Sequence, residues 1–412
     1  MFQGLKGITY KVPDIEKAKN WYGKVFDTKP IIDTSFVVVF LIGDSSFGLS
    51  PNTSTTIKVD DSVIAYWEVD DIDSEYKRLL QLGATVHTEI KTVFNRKMAT
   101  VIDPSGNILG IRTTVVDANK QSVEQQPSQT AMGVATARAV GAIDEREEIR
   151  GHDYLAQIFL PEDRKASLKE PAMMKEMMTT LMPGFYEYIT ARTAYFDHIV
   201  EQALRENFSQ IVFLGAGYDS RPYRFKDLIK DTRIFELDIH TTQQYKMKLL
   251  LQKNILIPRQ VTFVGINFNT ETLEDVLFKA GYHKGQKNLF IWEGVTYFLL
   301  PKAVDDTLNF IKSTSSVGST VCFDYVAFWS EMLNAYGVKR SVESMRTNIP
   351  GEPGRFSIER GKIESFLSDR GYKIIDHLTA EDMERKFLTL RDGSLAGQVV
   401  GFFCLAHAAV SG

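Results

Sequence analysis

Only two cysteines occur in the 412 residues, Cys322 and Cys404, each inside an apolar run. That excludes a disulfide framework or a cysteine-rich metal site and fits a reducing compartment. An excess of either charge is also missing, with 48 Lys and Arg against 52 Asp and Glu. Without a basic block to neutralise phosphates, nucleic acid is excluded as a partner. Long hydrophobic runs are lacking too: "FVVVFLIG" falls far short of the roughly 20 residues needed to cross a membrane. The opening "MFQGLKGITYKV" has no signal-peptide pattern, so the expectation is a cytoplasmic protein with no membrane partner. What is present, 44% hydrophobic and 24% charged residues, is an ordinary globular composition, and the length calls for two or three domains.

The chain divides at "VVDANKQSVEQQPSQT", a polar stretch without apolar period that reads as a linker over 115–130. Ahead of it, in 1–114, "LKGITYKVPDIEKAKNWYGKVF" and "SVIAYWEVDDIDSEYKRLLQLG" share one plan: strand-like alternation, an Asp, then helical spacing. Each is followed by three strand-like pieces, the second set ending in "NILGIRTT". The unit is βαβββ, used twice, giving an α+β domain.

Behind the linker, 131–412 begins with a helical segment, 131–207, whose Met and aromatic stripe suits helix packing. From 208 onward "QIVFLG", "TRIFELD", "QVTFVGI", "KNLFIWEG" and "SVGSTVCFDYV" alternate with helical stretches. Such alternation predicts an α/β core, a mostly parallel sheet covered on both faces. The closing "GYKIIDHLT" and "QVVGFFCLAHA" are expected to form an antiparallel pair at its edge.

The turn "IVFLGAGYDSRPYRF" falls where a doubly wound sheet holds its ligand. Gly215 and Gly217 allow a sharp turn and a close approach. The third glycine of a dinucleotide site is missing, and Asp219 and Ser220 stand where a pyrophosphate would be repelled. Asp238, ending "IFELD", is placed to accept both ribose hydroxyls. A nucleoside carrying a zwitterionic amino acid, S-adenosylmethionine, meets these conditions.

"LGAGYDSRPYRF", "FELDIHTTQQYKMKLL", "FIWEGVTYFL" and "GEPGRFSIE" resemble the leucine carboxyl methyltransferase family of class I S-adenosylmethionine-dependent methyltransferases, from about Thr130 to the C-terminus. The resemblance implies a Rossmann-like seven-stranded sheet with an antiparallel last strand and a leading helical lid. It also implies cofactor contacts: Arg192 with the methionine carboxylate, Gly215 and Gly217 beneath methionine and ribose, Asp238 on the ribose, and Glu293 at the amino end. Asn267 stands where the family usually has an Asp bonded to the adenine amino group, and its amide oxygen still accepts that bond without the charge. Phe268 would flank the ring. Tyr297 is the first choice for touching the methyl acceptor and Arg221 the second, with bracing of the loop through Asp219 as Arg221's alternative. His152, His198 and Asp324 are unranked candidate bases.

The double βαβββ unit with "DPSGNILGI" resembles the vicinal oxygen chelate fold of glyoxalases and bleomycin-resistance proteins. Metal-dependent members carry His and Glu ligands where this chain has Gly7, Ile64 and Gly110, and His87 is the only histidine of the segment, so no metal is expected. The combined expectation is an O-methyltransferase acting on a small-molecule carboxylate or hydroxyl in bacterial specialised metabolism. Its front domain would aid substrate binding or build a homodimer. A ligand-sequestering resistance protein with a degenerate methyltransferase half and a protein C-terminal carboxyl methyltransferase stay open.

Overall fold

The computed structural model describes residues 7–42, 45–51, 64–69, 71–93, 96–114, 128–268, 270–348 and 354–411. The expected linker, up to residue 127, and the start of "GEPGRFSIE" lie outside the described residues. The chain forms two compact units, Met1–Lys120 and Gln121–Gly412.

The first unit contains β1 (Gly7–Val12), α1 (Ile15–Val25), β2 (Ile32–Asp33), β3 (Val38–Ile42) and β4 (Ser45–Pro51), then β5 (Ala65–Glu68), α2 (Ile72–Gln81), β6 (Thr85–Val93), β7 (Arg96–Ile102) and β8 (Ile108–Thr114). Its two four-stranded sheets have the matching orders β1-β4-β3-β2 and β5-β8-β7-β6, so the internal repeat is structural. The Asp at each change of period is a helix cap. Asp14 accepts from the Lys17 N–H, and Asp71 from the Asp73 and Ser74 N–H groups, satisfying donors that the first helical turn leaves open. Asp103 of "DPSGN" accepts from the Ser105 and Asn107 N–H groups and from the Tyr22 hydroxyl at 2.6 Å, so one carboxylate sets the turn of the second repeat and ties it to the first. Both repeats share one hydrophobic core.

The second unit opens with α3 (Gln129–Gly141), α4 (Glu162–Ser167), α5 (Pro171–Leu181) and α6 (Phe185–Arg205). There follow β9 (Gln210–Leu214), α7 (Arg221–Arg224), β10 (Arg233–Asp238), α8 (His240–Gln252), β11 (Val261–Gly265), α9 (Leu273–Lys279), β12 (Asn288–Trp292), α10 (Pro301–Thr314) and β13 (Thr320–Phe328). α11 (Val338–Asn348), β14 (Ile358–Glu359), α12 (Ile363–Ser368), β15 (Tyr372–Leu378), α13 (Ala380–Phe387) and β16 (Phe403–Val410) complete it.

The sheet order is β11-β10-β9-β12-β13-β16-β15, with the two-residue β14 pairing β13 as an eighth strand. β16 runs antiparallel to β13 and β15, while β9 to β13 pair in parallel, which is the Rossmann-like arrangement of seven main strands that the resemblance implies. Between β15 and β16 stands α13, short but firmly started by a reciprocal cap between Thr379 and Asp382. Residues of β9 alternate between two cores: Ile211 and Phe213 pack on the α6 side, Val212 and Leu214 on the other. Burial on both faces is why the strand reads as an uninterrupted apolar run. The strand order reverses between β9 and β12, and the crevice this leaves beyond their carboxyl ends is where a ligand fits.

Candidate functional site

At that crevice the glycine turn has the backbone the sequence demanded. Gly215 has φ +71° and Gly217 φ +44°, left-handed values that favour glycine. A Cβ on Gly215 would lie 2.5 Å from Val295 Cγ2, and one on Gly217 3.3 Å from Ala131 Cβ on α3, so the first helix of the unit closes over the turn. Its Ser128 N–H donates to Thr242 Oγ1 on α8. Asp238, at the end of β10, accepts from the Gly217 N–H at 2.5 Å and the Ile239 N–H at 2.7 Å, which fixes its carboxylate against the turn. Asn267 and Phe268 follow β11 and Ile266, whose N–H donates to the Asp238 carbonyl, so the turn, the acid and Asn267 meet at the ends of three adjacent strands.

The other half of the crevice is charged, and its side chains form one continuous chain of ion pairs. Arg138 on α3 meets Asp153 at 3.3 Å, Asp153 meets Arg224 at 3.4 Å, and Arg224 meets Asp197 of α6 at 2.7 Å. Asp197 meets Arg221 at 2.7 Å, and Arg221 binds both Asp219, at 2.5 Å, and Glu293, at 2.7 Å. Glu293 lies 2.9 Å from Arg192, and Arg192 pairs with Asp324 of β13 at 2.8 Å. None of the nine side chains is more than 12% exposed. Burial alone would raise the carboxyl pKa values of Asp197 and Asp219, but the facing guanidinium groups hold both below the usual range. At Asp324 burial wins over Arg192, and the pKa is raised.

The sequence-selected residues fall into this picture unequally. Arg192 and Glu293 are neighbours, and Glu293 bridges Arg192 to Arg221. Arg221 is fully enclosed, and its Nε and Nη1 meet three carboxylates while Nη2, also buried, has no hydrogen-bond partner. Tyr297 is 8% exposed, its ring 5.5 Å from Phe403 between centroids and its carbonyl accepting from the Arg355 N–H at 2.7 Å. Burial pushes its phenol far above the ordinary value, so the hydroxyl is a proton donor at neutral pH and no base. Asp324 is already engaged by its neighbours. It is fully buried and accepts from the Tyr188 hydroxyl at 2.5 Å, the Arg192 guanidinium and the Gly294 N–H at 2.7 Å. His152 and His198 are exposed.

Arg138, Asp153, Asp197 and Arg224 were missed by sequence reasoning, although "SRPYRF" and "RTAYFD" do show the charges at helical spacing. Gly294 was missed as well. Its φ is +75° and a Cβ there would come within 3.4 Å of Arg192 Nη1, so the "WEG" glycine makes room for the arginine.

In the first unit, two of the positions where the resemblance would place metal ligands, Gly7 and Gly110, have little room for a side chain. A Cβ at Gly7 would sit 2.1 Å from Ser46 Oγ, and one at Gly110 2.6 Å from the Tyr66 ring. His87 Nδ1 lies 2.8 Å from Thr100 Oγ1. Among the described residues no group of three or more His, Cys, Asp or Glu side chains is arranged to hold a metal ion, and no helix is long and apolar enough to cross a membrane.

Comparison with known proteins matches both units. Residues 131–312 match the family described as Leucine carboxyl methyltransferase, and residues 4–111 the Glyoxalase/Bleomycin resistance protein/Dioxygenase superfamily. A Bacillus subtilis protein named "Putative S-adenosyl-L-methionine-dependent methyltransferase YktD" is 29% identical over 208 residues, 50% of this chain and 67% of its own length. A Streptomyces coelicolor protein of the same description, SCO7813, is 30% identical over 209 residues, 47% of this chain and 68% of its own. The solved magnesium protoporphyrin IX methyltransferase of Synechocystis PCC 6803 with bound SAH covers 55% of this chain and 86% of its own at 11% identity. Its TM-score is 0.36, a likeness too distant to bear on function.

Proposed function

Because this chain belongs to the leucine carboxyl methyltransferase family and carries a glyoxalase-superfamily segment ahead of it, we propose that it is an S-adenosylmethionine-dependent O-methyltransferase. Its acceptor is a small-molecule carboxylate or hydroxyl of bacterial specialised metabolism. The observation that carries the reading is the junction of Arg192, Glu293 and Arg221 beside the two left-handed glycines.

In this reading Asp238 holds the ribose hydroxyls, and Asn267 and Phe268 hold the adenine. Arg192 takes the methionine carboxylate and Glu293 its ammonium. Arg192 Nε is buried and, though 2.9 Å from Glu293 Oε1, has no well-directed hydrogen bond. A buried donor without an acceptor is costly, and an incoming carboxylate would relieve it. Methyl transfer is then a displacement in which the acceptor oxygen forms its bond to carbon as the carbon–sulfur bond breaks and the electron pair goes to sulfur. Alignment in a closed site supplies most of the acceleration. A carboxylate acceptor needs no base at neutral pH. With Tyr297 protonated and Asp324 enclosed, neither is available as one, which favours a carboxylate or an already ionised hydroxyl.

The first unit, with packed positions in place of metal ligands, aids acceptor binding or pairs two chains. The reading is tested by titrating the purified protein with S-adenosylmethionine in a calorimeter and identifying co-purified small molecules by mass. Absence of any binding at millimolar cofactor would overturn it.

A further inference from the structure

The nine-residue ion-pair chain is not neutral. It contains four guanidinium groups, on Arg138, Arg192, Arg221 and Arg224, and five carboxylates, on Asp153, Asp197, Asp219, Glu293 and Asp324. The nearby Lys246 adds nothing, because it is matched by Glu236 at 2.6 Å, and Asp238 at the ribose position only deepens the imbalance. Asp324 is the terminal member. It accepts from the Arg192 guanidinium and the Gly294 N–H and lies 2.5 Å from the Tyr188 hydroxyl, a set of partners that suits a carboxylate. A buried negative charge in excess is costly until a cation arrives.

We propose that the cofactor is that cation and that Asp324, a positioning residue for Arg192 and the Gly294 turn, is also the residue that makes the site select the cofactor by charge. The inference rests on the S-adenosylmethionine reading above. S-adenosylmethionine carries a carboxylate, an ammonium and a sulfonium, one net positive charge. When the methyl group leaves, the carbon–sulfur electron pair stays on sulfur and the product S-adenosylhomocysteine is neutral overall. The same chain of side chains therefore holds the substrate form more tightly than the product form, and transfer itself weakens the grip on the spent cofactor. At an effective dielectric of about 20, one unit of charge within about 10 Å is worth about tenfold or more in affinity.

Calorimetry on the full chain with three ligands tests this: S-adenosylmethionine; S-adenosylhomocysteine; and sinefungin, in which a carbon bearing an ammonium replaces the methylated sulfur. The native protein is expected to bind the two cationic ligands about tenfold or more tightly than the neutral one. In Asp324→Asn, which keeps the shape, the three affinities should converge, chiefly by loss of the cationic ligands. Tyr188→Phe removes a donor to Asp324 but no charge, and should keep the native ratio. Asp153→Asn, at the opposite end of the chain, supplies a second charge deletion should Asp324→Asn not fold, and should narrow the ratio in the same direction. Equal or tighter binding of the neutral ligand by the native protein overturns the proposal while leaving the cofactor reading intact, as does a uniform loss for all three ligands in Asp324→Asn. If none of the three binds the native chain, the cofactor reading itself falls, and the proposal with it.

Discussion

Replacing Arg221 with Met removes the side chain at the branch of the ion-pair chain while keeping much of its buried volume. Its three partners are affected differently. Asp197 retains Arg224 and Glu293 retains Arg192, whereas Asp219 keeps the Arg221 backbone N–H and loses its ion-pair partner. The cost is therefore that of one orphaned buried carboxylate, about 3–5 kcal/mol. At roughly 2–4 °C per kcal/mol for a unit of this size, the melting temperature should fall by on the order of 10 °C.

Asp197 and Asp219 both have depressed pKa values in the folded chain, so their contribution is present above the unfolded carboxyl value and is lost as pH falls through the folded one. The penalty in Arg221→Met should accordingly be largest near pH 7 and shrink toward pH 4, where the orphan can take a proton. Adding Asp219→Asn should recover a large part of the loss, since removing both partners costs less than removing one. Thermal and urea melts of the native protein, both single variants and the double variant at pH 7 and pH 4 would settle the matter. A penalty under about 1 kcal/mol, or one that grows on acidification, would refute the reasoning.

Asp238→Ala should weaken S-adenosylmethionine binding at least about tenfold by removing charge-assisted bonds to the ribose; unchanged affinity by calorimetry would take Asp238 out of the site. Gly215→Ala combines a left-handed backbone with a Cβ 2.5 Å from Val295 Cγ2, so it should destabilise the fold by about 1–3 kcal/mol and impair cofactor binding; a melt matching the native protein would show that the turn tolerates a side chain. Methyl transfer should persist after chelator treatment, with no stoichiometric transition metal by elemental analysis; one zinc, nickel or iron per chain with activity lost on chelation would show that the first unit is a metal site after all. A chain beginning at Ser128 should bind S-adenosylmethionine yet turn over its true acceptor far more slowly; full kcat/KM with an unchanged oligomeric state by light scattering would leave the first unit without either role assigned to it.

Local chemistry alone wrote much of this protein into its sequence. The repeat was legible because Asp14 and Asp71 must cap helices where the apolar period changes. The strand and turn at 211–217 were legible because a strand buried on both faces is apolar throughout and a left-handed turn favours glycine. The place of Asp238 beside the turn was legible because a strand and its terminal acid are neighbours along the chain. The ion-pair chain could not be read in the same way. Arg221 and Glu293 are 72 residues apart, and Arg192 and Asp324 132 apart. A single Asp inside the apolar "VCFDYV" signals that a buried charge must have a partner, but not which one. Only the strand order, which sets β9 beside β12 and β12 beside β13, brings α6, the glycine turn and two strand ends to one point. That order also seats Arg221 among three carboxylates and pairs Asp324 with Arg192. Partner choice among buried charges depends on through-space distance in a medium that screens poorly, and distance of that kind belongs to the fold.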